Sequence, residues 1–118
     1  VFFYKQEVPT VYTYDEALSS SILYFCGNEL AAKVFVDKYA MRDISGNILE
    51  ATPTDMHKRL AREFARIEKK KYKDGALTED EIFDCLDHFK YIVPQGSILA
   101  GVGNTHQFVT LSNCYVVE

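Results

Sequence analysis

From Tyr14 to Phe89 hydrophobic positions recur every three or four residues, in four runs set apart by glycine, asparagine and proline, and this spacing predicts four amphipathic helices. Thr13 followed by Glu16 is a capping-box pattern that opens a first helix over Tyr14–Phe25, with Leu18, Ile22 and Phe25 on one face. Gly27 stops it, and Asn28 caps a second helix over Glu29–Met41 that carries Leu30, Val34, Phe35 and Lys38 at helical spacing. After a turn at Ser45-Gly46-Asn47, Thr52-Pro53 starts the longest helix, because proline at the first helical position loses no needed hydrogen bond. Met56, Leu60, Phe64 and Ile67 form its core stripe, with Lys58, Arg62, Arg66 and Lys69 largely opposite. Past Asp74-Gly75, Thr78 and Glu81 repeat the capping box and open a fourth helix to Phe89, with Ile82, Phe83, Leu86 and Phe89 inward.

The ends of the chain follow other patterns. Up to Tyr12, aromatic and β-branched residues around Pro9 read as an extended arm. From Tyr91 glycines cluster and helices are expected to give way to loops and strands, with Thr110–Val117 as a strand. The predicted class is mainly α, about four helices over residues 1–90, with residues 91–118 beginning something with β structure; as an isolated chain it reads as α+β. An apolar strand this near the terminus, and a start at Val1, lead us to expect a longer native polypeptide.

Composition narrows the function classes. The 118 residues suit one domain, 47% hydrophobic and 25% charged, and no run approaches the roughly 18 apolar residues of a membrane span. A net charge of −4 lacks the basic surface that direct DNA or RNA binding needs. Cys26, Cys85 and Cys114 have no CxxC spacing, which fits a reduced, cytoplasmic chain.

Few patterns carry chemistry. Cys85 and His88 stand three apart on the fourth helix, half of a metal site at most, and read as a packed thiol and a surface imidazole. Lys69-Lys70-Lys71 with Lys73 reads as a solvated helix end that complements the macrodipole, and the acidic residues at helix starts do the same there. Gly96-Ser97 and Gly101-Val102-Gly103 lack the third glycine and the following helix of a dinucleotide fingerprint. Cys114, after Ser112-Asn113 in an apolar run, is by default a buried thiol.

Five segments in order make a more specific pattern: Tyr24-Phe-Cys-Gly-Asn-Glu-Leu-Ala-Ala-Lys-Val-Phe35, Lys38-Tyr-Ala-Met-Arg-Asp43, Thr52-Pro-Thr-Asp-Met-His-Lys-Arg-Leu-Ala61, Phe89-Lys-Tyr-Ile-Val-Pro-Gln-Gly-Ser97 and Leu111-Ser-Asn-Cys-Tyr-Val-Val117. In this register the chain resembles the N-terminal part of the catalytic subunit of ribonucleotide reductase, most closely the adenosylcobalamin-dependent class. The resemblance implies a helical region leading into the first strand of a ten-stranded α/β barrel. It makes Cys114 one member of the redox cysteine pair and places Ser97 and Asn113 in the substrate nucleotide pocket.

It also implies ribonucleoside-diphosphate reductase chemistry by thiyl radical, and adenosylcobalamin bound elsewhere, with a di-iron partner subunit as the alternative. A thioredoxin or glutaredoxin-type reductant, the rest of the reductase chain and a homodimer of the full enzyme complete the expected partners. The radical cysteine, the second redox cysteine, the C-terminal pair and the effector elements have no counterpart here, so the chain alone is expected to be inactive. A second reading makes it a non-catalytic helical module that joins a partner by strand addition.

Overall fold

The computed structural model describes residues 9–112, 114, 116 and 117. Five helices are present among them: α1 Tyr14–Tyr24, α2 Glu29–Val34, α3 Pro53–Lys71, α4 Glu79–Leu86 and α5 Gly96–Gly101. A π-helical turn, Phe35–Tyr39, extends α2, and a 3-10 turn, Asp87–Phe89, follows α4. None of these helices is long and apolar enough to cross a membrane.

Both capping boxes form. Thr13 Oγ1 accepts from the Glu16 amide at 3.2 Å while Glu16 Oε2 accepts from the Thr13 amide at 2.9 Å, and Thr78 with Glu81 repeats both bonds at the same distances. Asn28 Oδ1 caps α2 by accepting from the Ala31 amide at 3.0 Å. Pro53 is the first residue of α3, whose stripe is the centre of the core: Met56 and Leu60 are fully buried, and Phe64 packs against them from the edge. α4 lies along α3 and contributes Ile82 and Leu86, while α1 and α2 contribute Ala17, Ala32, Phe35 and Val36.

Three expectations are corrected. The second helix does not run unbroken to Met41: its last turn widens, which brings Ala32, Phe35 and Val36 inward and leaves Leu30 exposed. The fourth helix ends at Leu86, and His88 and Phe89 adopt left-handed backbone angles, φ 54° and 53°, so Cys85 and His88 do not share a helix face. The glycine-rich stretch from Gly96 is helical. No strand occurs among the described residues, which are mainly helical as expected: their β content is two single bridges, Tyr12 to Ile48 and Arg42 to Ile48.

In the described part of Thr110–Val117 no strand forms, and a strand needs a neighbour for its amides and carbonyls, which the other described residues do not supply. Of the arm to Tyr12, residues 1–8 lie outside the described residues, and Tyr12 donates its amide to the Ile48 carbonyl at 2.9 Å.

Candidate functional site

Two buried polar clusters hold the helices together, and the first supports Ser97. Arg59 projects from α3 into the core at 7% exposure and meets Glu50, itself 3% exposed. Its Nε donates to Glu50 Oε2 at 2.9 Å and its Nη2 to Glu50 Oε1 at 3.1 Å, the parallel fork that a guanidinium forms with a carboxylate. The outer nitrogens continue to α5: Nη2 donates to the Leu99 carbonyl at 2.7 Å and Nη1 to the Val102 carbonyl. Glu50 Oε1 also accepts the Met41 amide at 2.8 Å, so the ion pair joins α3, the 41–50 turn and the end of α5.

α5 is brought in closely at both ends by glycine. A Cβ on Gly96 would stand 3.0 Å from the Tyr39 hydroxyl, and one on Gly101 would stand 2.7 Å from Val109 Cγ2 and 3.0 Å from Leu111 Cδ2. Ser97 therefore sits in the first turn of α5 beneath Tyr39, its hydroxyl buried and without a hydrogen-bond partner among the described residues. An orphaned buried hydroxyl costs free energy unless something later bonds to it.

The second cluster converges on Asp87. Its Oδ1 accepts from the Tyr24 hydroxyl at 3.2 Å, from Thr54 Oγ1 at 3.3 Å and from His57 Nδ1 at 3.2 Å, joining α1, α3 and the 3-10 turn. The Tyr24 hydroxyl in turn accepts the His88 amide at 2.8 Å, and the two rings stack at 4.7 Å. His57 is fully buried, edge-on to Phe89, and its Nε2 has no partner among the described residues. Donation from Nδ1 to a carboxylate leaves the neutral ring with its lone pair on Nε2.

Burial pushes the His57 pKa down against the opposing pull of Asp87. Burial pushes Asp87 up, but the bonds from His57, the His88 amide and Tyr24 outweigh it and hold the carboxyl below its ordinary value. Burial, then the Asp87 charge, raises the Tyr24 phenol.

These directions predict a stability profile. Below about pH 6.5 the unfolded chain takes up a proton at His57 that the folded chain resists, so stability falls as pH drops. A further loss follows as the pH passes below about 4 and Asp87 protonates first in the unfolded chain. Above about pH 10 the unfolded chain releases the Tyr24 proton that the folded chain keeps, and stability falls again. Denaturant midpoints between pH 7 and pH 5 should slope less in His57→Gln than in the parent; equal slopes would remove His57 as the cause.

Of the residues picked from sequence, Ser97 is placed as described, Cys114 is exposed on the segment that leaves α5, and Asn113 lies outside the described residues. Cys85 is half-buried and His88 exposed, and among the described residues no group of three or more His, Cys, Asp or Glu could hold a metal ion. A mainly apolar concavity of about 820 Å³ lies between α3 and α4, lined by Phe64, Ile67, Leu77 and Ile82 with Lys71 and Asp84 at its edge. A polar cleft of about 640 Å³ lies at the Arg59 cluster, lined in part by Glu50, Lys58, Arg59, Arg62, Gly103 and Thr105.

The sequence reading missed Arg59, Glu50, His57 and Asp87. A signal existed for two of them: Arg59 stands three residues after Met56, and His57 three before Leu60, which puts both beside the apolar stripe.

Comparison with protein families decides the assignment: the model described as "Ribonucleotide reductase, all-alpha domain" matches residues 26–107, more than half of the chain. The chain belongs to the ribonucleotide reductase all-alpha domain family. No curated protein and no solved structure matches it. The matched span of this all-alpha domain includes Glu50, Arg59, His57, Asp87 and Ser97, and ends before Asn113 and Cys114.

Proposed function

We propose that the chain is the N-terminal part of the large subunit of a ribonucleotide reductase, of the adenosylcobalamin-dependent type, and converts ribonucleotides to deoxyribonucleotides together with the rest of that protein. Membership in the all-alpha domain family supports the large-subunit part of this reading, and the sequence resemblance alone supports the adenosylcobalamin type. The helices α1 to α5 form its helical region, which leads into the catalytic barrel. The Ser97 hydroxyl and the Asn113 side chain bind the nucleotide, and the unpartnered, buried state of the Ser97 hydroxyl supports its part in this.

Cys114 and a second cysteine of the remaining chain supply two electrons and two protons. The ribose 2′ hydroxyl leaves as water, a hydrogen takes its place, and the two thiols close a disulfide. A thioredoxin or glutaredoxin-type dithiol reopens that disulfide by exchange. Adenosylcobalamin, or in the alternative a di-iron partner subunit, supplies the radical. In this reading either group is held by the remaining part of the protein.

The test is deoxyribonucleotide formation by the complete protein with a ribonucleotide, a dithiol and either radical source. Ser97→Ala should raise KM by about tenfold or more, the worth of a buried hydrogen bond to a charged group. Absence of product with both radical sources would overturn the reading. A second reading, a module that adds a strand to a partner's sheet, is favoured by the unpaired tail with exposed Phe108, Leu111, Val116 and Val117; it predicts tight partner binding and no nucleotide turnover.

A further inference from the structure

We propose that Arg59 is a positioning residue of the substrate site, holding the Ser97 helix and the start of the Cys114 segment in one fixed relation. This rests on the reductase reading above. α5 has six residues with glycine at both ends and no side-chain cap, so it cannot persist on its own propensity. Its closing carbonyls, Leu99 and Val102, are taken by the outer nitrogens of Arg59. The chain then turns at Gly103, φ 73°, where a Cβ would stand 3.0 Å from Arg59 Cγ, and Val109 and Leu111 return across Gly101. The same guanidinium thus sets where α5 ends and where the Cys114 segment begins.

The choice of side chain supports geometry over bulk stability. A buried ion pair is often no more stabilising than apolar residues of equal volume, but a planar fork fixes direction. Glu50 locks that plane with both oxygens and ties it through the Met41 amide to the turn that precedes α3. Lysine at position 59 keeps the charge opposite Glu50 and loses the two-sided reach to Leu99 and Val102.

The experiment compares Arg59→Lys, Ser97→Ala and their combination in the complete protein, reading KM and kcat for the ribonucleotide together with the thermal midpoint. Arg59→Lys should raise KM by about tenfold or more, as expected of a small misplacement of a binding group. Ser97→Ala on top of it should then add no more than about twofold, because the contact is already lost. An unchanged KM, or effects that multiply in full, would make Arg59 a structural residue only and overturn the proposal. Should Arg59→Lys fail to fold, Glu50→Gln, which keeps an acceptor for the fork but removes its charge, is read in the same way. An inactive parent fails the reductase reading and this proposal with it; in an active parent, Ser97→Ala with normal KM, or a Ser97→Ala defect beside a normal Arg59→Lys, fails this proposal alone.

Discussion

Arg59→Met is expected to destabilise the chain by about 3–5 kcal/mol, the usual result of leaving one member of a buried ion pair without its partner. The Glu50 carboxylate, 3% exposed, keeps only the Met41 amide, and the Leu99 and Val102 carbonyls lose their donor. Against the roughly 5–15 kcal/mol that a native domain holds in total, this loss is large. The double variant Glu50→Leu with Arg59→Met should recover part of it, since two apolar side chains need no partners. Full recovery is not expected, because the Met41 amide and the two carbonyls stay unsatisfied. Denaturant unfolding of the parent, single and double variants measures both steps, and a single variant within about 0.5 kcal/mol of the parent, the range of an ordinary surface change, would deny the ion pair its place in the core.

Cys114→Ser is expected to abolish sustained nucleotide reduction, a loss of about 100-fold or more as for removal of a reacting group, while stability stays within about 0.5 kcal/mol. The thiol is exposed, so serine costs little in packing. Serine cannot close a disulfide, so under the proposed reductase reading the two electrons for each ribose would lose their source. Steady-state turnover with excess dithiol, measured beside the unfolding midpoint, separates the two roles. Undiminished turnover would leave Cys114 a spectator and favour the strand-adding module.

The helices that sequence made legible are those with strong local signals: the two capping boxes, Asn28, Pro53 and the Met56, Leu60, Phe64 and Ile67 stripe. Each of these depends on residues within one or two turns of one another. α5 was not legible, because four residues between two glycines are too few to show a helical period and are held by Arg59 from forty residues away in sequence. The widening at Phe35–Tyr39 likewise follows from which face packs inward, which periodicity alone does not reveal.

At the site the balance is similar. Ser97 and Cys114 were picked through family resemblance, and nothing in their local pattern distinguished them from a loop serine and an ordinary thiol. Glu50 and Arg59 stand nine residues apart across a turn and a helix start, and Thr54, His57 and Asp87 meet only after α4 folds onto α3. Charged groups beside an apolar stripe were the sole warning, and such groups more often reach solvent along their stems.

The most direct measurement is thiol trapping of the complete protein, preloaded with reduced thiols and with its C-terminal cysteine pair replaced by serine so that no second dithiol reopens the disulfide, after reaction with a ribonucleotide in the absence of any external reductant. Mass spectrometry of the alkylated peptides should find Cys114 in a disulfide, in amounts equal to the deoxyribonucleotide formed. Deoxyribonucleotide produced while Cys114 remains fully alkylatable, or no product under either radical source, would contradict its role as the redox thiol of a reductase.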